Sequence, residues 1–190
     1  MANTLSKKLH KQGLKLFHKG KYQAALQKLL EALQGAQGDA RQAAEIYNDI
    51  GVTYKQLEDY PAAHKALDEA LNRFSQLQDQ KGQAQTFGNR AAVHEAEDQF
   101  DQAVEYYKKS AKMLEAVGES EMAMYAWQAV SRLRLKQRQY IAAIGAYEEG
   151  IDNMPAGSLK RKILQNIIKM PGSMIGGLGS GVGSSQDEDP

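Results

Sequence analysis

The sequence predicts an all-α fold, an α-solenoid of four antiparallel helix hairpins followed by a C-terminal capping helix. Two observations carry this prediction. Residues 44–74, AEIYNDIGVTYKQLEDYPAAHKALDEALNRF, place Tyr47, Ile50, Gly51 and Tyr54, then Tyr60, Ala63, Leu67 and Ala70, on one stripe of each of two helices. The same template recurs at Gly13, Leu16, Tyr22, Ala25, Leu29 and Ala32, at Ala91, His94, Phe100, Ala103, Tyr107 and Ala111, and at Ser131, Arg134, Tyr140, Ala143, Tyr147 and Gly150. The steps are 38, 40 and 40 residues. One hairpin cannot bury its stripe alone, and stacked copies at this period do so.

The residue types fit the positions. Ala25, Ala63, Ala103 and Ala143 fall where the two helices of a hairpin cross, and Gly13 and Gly51 face them from the first helix. Small side chains there let the helix axes approach. Aromatic residues Tyr22, Tyr60, Phe100 and Tyr140 open each second helix and cover the hairpin turn.

Taken in order, the repeat domain spans 1–157. Its first hairpin, about 4–36, starts near Thr4 or Ser6 and closes its first helix at Gly20. It is basic, with Lys7, Lys8, Lys11, Lys15, Lys19, Lys21 and Lys28 ahead of the first acid, Glu31. This reads as a solvated outer face on a terminal repeat, or as a surface for an acidic partner. The second hairpin, 40–76, turns at Asp59-Tyr60-Pro61, with Pro61 in the first turn of its second helix, where no N–H is needed. The third and fourth span 80–117 and 120–154. The loops between hairpins are expected at Gly38-Asp39, Gln80-Lys81-Gly82 and Gly118-Glu119. Residues 158–170 form an amphipathic helix, with Leu159, Ile163, Leu164, Ile167 and Ile168 on one face and Lys160, Arg161, Lys162 and Lys169 largely off it. Its preferred role is to cap the open end of the fourth hairpin; the alternative is to dock on a membrane or partner. Residues 171–190, rich in Gly and Ser and ending in Asp187-Glu188-Asp189, are expected to be a disordered tail.

Tyr47, Ile50, Gly51, Tyr54, Ala63, Leu67 and Ala70 resemble the tetratricopeptide-repeat pattern W-x2-L-G-x2-Y…A-x3-F…A. Repeats three and four depart from it with His94 and Arg134 where Tyr is usual. The roughly 40-residue period resembles the longer subclass found in G-protein-signalling modulators and kinesin light chains. The resemblance covers about residues 4–154 and implies a right-handed superhelix whose first helices line a concave, peptide-binding groove. By the template the groove positions are His10, Leu14 and Phe17; Asn48, Val52 and Lys55; Gln85, Asn89, Ala92 and Glu95; and Gln128, Arg132 and Leu135. Asn48 and Asn89 suit hydrogen bonding to an extended peptide backbone, and Lys55 and Arg132 suit acidic ligand groups. The carboxylate clamp of chaperone-tail receptors is absent, since its places hold His10, Leu14, Asp49, Gln85 and Asn89.

Composition excludes several functions. A net charge of +1 argues against a dedicated nucleic-acid partner, and the lack of cysteine removes disulfides, thiolate metal sites and thiol nucleophiles. The opening residues hold no apolar run of signal-peptide length, and no stretch approaches a membrane span, so a cytoplasmic protein is expected. His10, His18, His64 and His94 show no HExxH spacing, so no metal is expected. The glycines at 177–183 follow no strand and carry no phosphate-loop lysine, and no nucleophile stands beside a base. The expectation is therefore a cofactor-free, non-catalytic interaction module: an adaptor, scaffold or assembly factor that holds a protein or peptide in its groove. The alternatives are a peripheral membrane-associated assembly protein anchored through 158–170, and a self-associating scaffold.

Overall fold

A computed structural model describes residues 2–36, 38–154, 157, 161 and 162. These residues form eight α-helices and no strand: α1 (Ala2–His18), α2 (Tyr22–Gly35), α3 (Ala40–Gln56), α4 (Tyr60–Gln76), α5 (Gln80–Ala96), α6 (Phe100–Ala116), α7 (Ser120–Lys136) and α8 (Tyr140–Asp152). Helices pair in order as α1/α2, α3/α4, α5/α6 and α7/α8, and each second helix packs on the first helix of the next pair. First helices also touch one another, α1 with α3 and α3 with α5. The chain is an all-α solenoid of hairpins.

The hairpins close through their small residues. Ala25, Ala63, Ala103 and Ala143 are essentially without solvent exposure. Opposite them, a Cβ added to Gly51 would stand 2.6 Å from Leu67 Cγ, and one added to Gly13 would stand 2.9 Å from Leu29 Cγ. The fourth hairpin has Ser131 in this slot, and its hydroxyl donates to the Ala143 carbonyl at 2.8 Å. Further along, Ser6 donates to the Ala32 carbonyl (2.6 Å) and Ser110 to the Ala84 carbonyl (2.7 Å). A hydroxyl at a crossing point thus satisfies itself on the facing backbone, so its burial carries little cost.

One turn type serves every connection between the eight helices except α2–α3, where Asp39 N–H bonds the Ala36 carbonyl instead (3.0 Å). The second residue past the helix end takes a left-handed conformation, at Gly20, Glu58, Gln78, Asp98, Gly118 and Arg138. The next residue's N–H reaches back five residues, as from Asp59 to the Tyr54 carbonyl (3.1 Å) and from Gln99 to the His94 carbonyl (2.9 Å). This is the Schellman closure, which satisfies the last free carbonyls of a helix. Helices α3 to α7 are each 17 residues long, so helix plus turn occupies 20 residues and the hairpin 40. Helix α2 has only 14, which accounts for the shorter first step. Asp39, Asp59 and Asp79 then cap α3, α4 and α5 by accepting from the N–H groups of Gln42, Ala62 and Gly82.

Three local expectations change. Helix α1 starts at Ala2, and Ser6 lies inside it, fully buried, where it also accepts from Gln42 Nε2 (2.9 Å). Its hydroxyl bridges hairpins and so does not cap a helix. The second hairpin turns at Leu57–Asp59, two residues earlier than the expected Asp59-Tyr60-Pro61, with Tyr60 already helical. Gln80-Lys81-Gly82 is the first turn of α5 rather than a loop. Gly82 is there for space: an added Cβ would meet the Phe74 ring at 2.3 Å.

At the far end α8 leaves Ile141 89% exposed, with Tyr140 and Ile144 also exposed. The expected capping helix lies outside the described residues except for 161 and 162, as does the tail 171–190. Arg161 reaches the end of α8, donating to the Met154 carbonyl and pairing with Asp152, both at 3.0 Å. Among the described residues no helix is long and apolar enough to cross a membrane.

Two stability effects follow. Gly51→Ala forces Leu67 from its place, and after the better helix propensity of alanine is counted it should lower unfolding free energy by about 1–2 kcal/mol. Gln78→Gly relieves a left-handed non-glycine residue and should raise it by roughly 0.5 kcal/mol, because added freedom in the unfolded chain cancels part of the gain. Urea unfolding followed by circular dichroism measures both; an unchanged midpoint for Gly51→Ala would show that the hairpin can open to admit a methyl group.

Candidate functional site

Groove geometry begins with how successive first helices meet. His10 on α1 bonds Asp49 on α3 through Nε2 and Oδ2 at 2.6 Å, and Asn89 Nδ2 on α5 donates to Asn48 Oδ1 on α3 at 2.9 Å. These pairs are 39 and 41 residues apart, one more than the repeat step, so each position meets the following position one repeat later. The next such rung is Gly88 and Ala129, which have no side chains able to bond. There the inner surface opens into a cavity of about 550 Å³ whose lining includes Asn48, Gln85, Gly88, Asn89, Tyr125 and Ala129. Helices α3, α5 and α7 form its walls, and Tyr107 and Ser110 of α6 lie at its floor.

A second, charged tie crosses the groove further along α5. Arg132 on α7 grips Glu95 with both guanidinium nitrogens, Nη2 to Oε2 at 3.1 Å, and the Tyr107 hydroxyl donates to the same Oε2 at 3.1 Å. Burial pushes the Glu95 carboxyl upward, but the Arg132 bonds and charge and the Tyr107 hydroxyl outweigh it and leave the group below its ordinary value. Burial, then the Glu95 charge, holds the Tyr107 phenol far above its ordinary value, so it stays a donor. The bonds from Glu95 likewise raise Arg132. The three groups are one fixed unit.

The expected groove residues therefore separate. Asn48, Gln85 and Asn89 come together at the first cavity. Gln128 and Arg132 line a second cavity of about 550 Å³ with Leu135, Ile144 and Tyr147, at the exposed end beside α8. His10 is engaged by Asp49, and Phe17 packs its ring against Tyr22 at 5.3 Å beside the first hairpin turn. Val52 and Lys55 lie half-buried on α3 and line neither cavity. The template omitted Tyr125, which is exposed at the first cavity and anchored by its hydroxyl to Glu121 (3.2 Å). An aromatic off the packing stripe was the signal for it, since Trp127, two residues on, already fills the core position.

The fold is that of a helical-repeat protein. Residues 4–76, α1 to α4, match the model of the tetratricopeptide repeat. These two hairpins are continued by two more of the same build, α5/α6 and α7/α8. Such repeats are a protein-interaction fold and are generally non-catalytic. Solved structures share the fold at low identity. BtubC (BKLC) from P. vanneervenii aligns with a TM-score of 0.69 at 14% identity, covering 100% of this chain and 86% of that one. Aspartyl phosphate phosphatase F from Bacillus subtilis aligns at 0.78 and 11% identity, covering 94% of this chain and 49% of that one. A putative kinesin light chain with TPR-like repeats from Podospora anserina aligns at 0.68 and 12% identity, covering 88% and 85%. No curated protein matches the chain.

The charged tie should be measurable by itself. A double-mutant cycle with Glu95→Gln and Arg132→Gln is expected to give a coupling of about 0.5–1 kcal/mol, small because Arg132 is largely exposed. A coupling of zero would mean that solvent competes successfully for both groups.

Proposed function

We propose that this protein is a non-catalytic adaptor that holds an extended segment of a partner protein across α3, α5 and α7. The observation that carries the reading is the cavity at the Gly88–Ala129 rung. There the polar pairing that joins the earlier first helices stops, and three amide side chains, Asn48, Gln85 and Asn89, stand beside the exposed ring of Tyr125. Amides both donate and accept, which suits a peptide backbone of either polarity, and an anchored tyrosine offers a large apolar face at small entropic cost. The tetratricopeptide match over 4–76 supports a protein as the ligand class. The Asn48–Asn89 bond is then a resting contact that a bound backbone replaces.

The test compares the wild-type chain with Asn48→Ala/Asn89→Ala/Tyr125→Ala as baits in extract from its native cell. Removing both members of the amide pair leaves no orphaned group, so circular dichroism should show a folded variant. A protein retained by wild type and reduced at least about tenfold on the variant, equal to 1.4 kcal/mol, is the expected result. If every retained protein binds both baits equally, the groove is not the binding surface.

A further inference from the structure

Four histidines without a metalloprotease spacing gave no reason to expect a metal, yet the fold brings two of them together. His64 on α4 of hairpin two and His94 on α5 of hairpin three have ring centroids 4.6 Å apart. Glu97, one turn beyond His94, lies between them: its Oε2 is 2.8 Å from His64 Nε2 and 3.8 Å from His94 Nδ1. One nitrogen from each ring and one Glu97 oxygen all lie within 4.8 Å of one another. We propose that His64, His94 and Glu97 bind a transition-metal dication of the zinc class and that the ion ties hairpin two to hairpin three.

The donor set is the first argument. Two imidazoles and a carboxylate are the borderline ligands that zinc takes, and they leave a fourth tetrahedral position for water. Tetrahedral zinc with bonds of about 2.0–2.2 Å sets donor atoms roughly 3.3–3.6 Å apart, so donors spread over as much as 4.8 Å must close by about 1.3 Å. With the His94 ring held by Tyr106, rotation of the Glu97 and His64 side chains supplies that.

The hydrogen bonds of the two rings are the second argument. His64 uses Nε2 on Glu97, and His94 uses Nδ1 on the Gln99 side-chain oxygen at 2.7 Å. The remaining nitrogens, His64 Nδ1 and His94 Nε2, are buried and have no hydrogen-bond partner. The His94 side chain is only 11% exposed and is held flat against the Tyr106 ring, with an interplanar angle of 2°. For His94, a ring fixed in place with Nδ1 held by Gln99 and Nε2 without a partner is the usual state of a metal-ligating histidine, while Glu97, as a ligand, would exchange its bond to His64 for the ion.

The chain's own repetition gives the third argument. One repeat later, Arg134 occupies the slot of His94, Gln137 that of Glu97 and Gln139 that of Gln99. There the guanidinium itself is the cation, donating through Nη1 to Asp101 (3.0 Å), Gln137 (3.0 Å) and Gln139 (2.8 Å). Hairpin four thus fills this inter-hairpin slot with a built-in positive charge, whereas hairpin three surrounds it with lone pairs and a carboxylate. Arg90, which also faces His94, is paired with Asp68 and packed over Tyr106, so its charge is partly neutralised.

The full chain, freed of metal by chelation, is titrated calorimetrically with zinc chloride alone, and histidine ring resonances are followed by NMR. One equivalent is expected, with shifts at His64 and His94 and not at His10 or His18, and a rise in Tm that EDTA reverses. His94→Tyr restores the side chain that Tyr54 supplies in hairpin two and so should fold; Glu97→Gln keeps the shape of the third ligand. Each should weaken zinc by more than about 100-fold, the loss expected for a direct ligand when outer partners alone account for 10–100-fold. The proposal is overturned by absence of binding, by shifts confined to His10 and His18, or by undiminished affinity in Glu97→Gln.

Discussion

The structure depends on how closely two helix backbones approach at the alanine crossing. Ala25, Ala63, Ala103 and Ala143 are buried against Gly13, Gly51, Ala91 and Ser131, with no room for more than a hydroxyl. That approach fixes the angle of each hairpin, and so the direction in which the next one is laid down. A solenoid has no central core to absorb an error, because each hairpin touches only its neighbours. A displacement at one crossing would be carried to every later hairpin. The tightest steric tolerances in the chain therefore lie at Gly51 and Gly82, one within a hairpin and one between hairpins.

The turns carry the same economy. Because helix plus Schellman closure recurs every 20 residues from Glu58 to Arg138, turns within and between hairpins are built alike. What distinguishes them is the side chain that follows. An aromatic opens each second helix, while a residue near the start of α1, α3 and α5 reaches the acid that precedes the next first helix: Asn3 to Asp39, Arg41 to Asp79 and Lys81 to Glu119. These surface ties contribute little energy each. They do hold the register between first helices, and that register places Asn48 opposite Asn89.

The repeat, its period and its crossing residues were legible because packing within a hairpin writes a pattern at helical spacing. Gly82 was misread as a loop because glycine serves both turns and close approaches, and only the position of Phe74 separates the two uses. Of the positions expected to line a groove, some share a cavity and others do not. Asn48, Gln85 and Asn89 share one, but their pairing was not legible, since the one-residue offset between neighbouring first helices is a property of two hairpins together. Arg132 looked free from its place on α7, and Glu95, 37 residues away, engages it. The departures at His94 and Arg134 were visible as breaks in the tyrosine pattern, while their partners, His64 and Asp101, belong to the preceding hairpin.

These breaks share a physical cause. The slot facing His94 and Arg134 lies between a second helix and the next first helix, where the family's tyrosine would fill space with an apolar ring. Replacing it by a polar side chain in a half-buried position demands partners, or the exchange costs stability. Arg134 finds three. His94 finds Gln99 and a second imidazole that is itself left with an unpaired nitrogen. The same joint is closed by Arg134 in hairpin four and leaves two imidazole nitrogens without a hydrogen-bond partner in hairpin three. The neighbouring helices α5 and α6 also frame the groove, with Asn89 on α5 and Tyr107 on α6. A cation bound at the joint would therefore act on the hairpin whose two helices both line the first cavity, stiffening that surface without touching it.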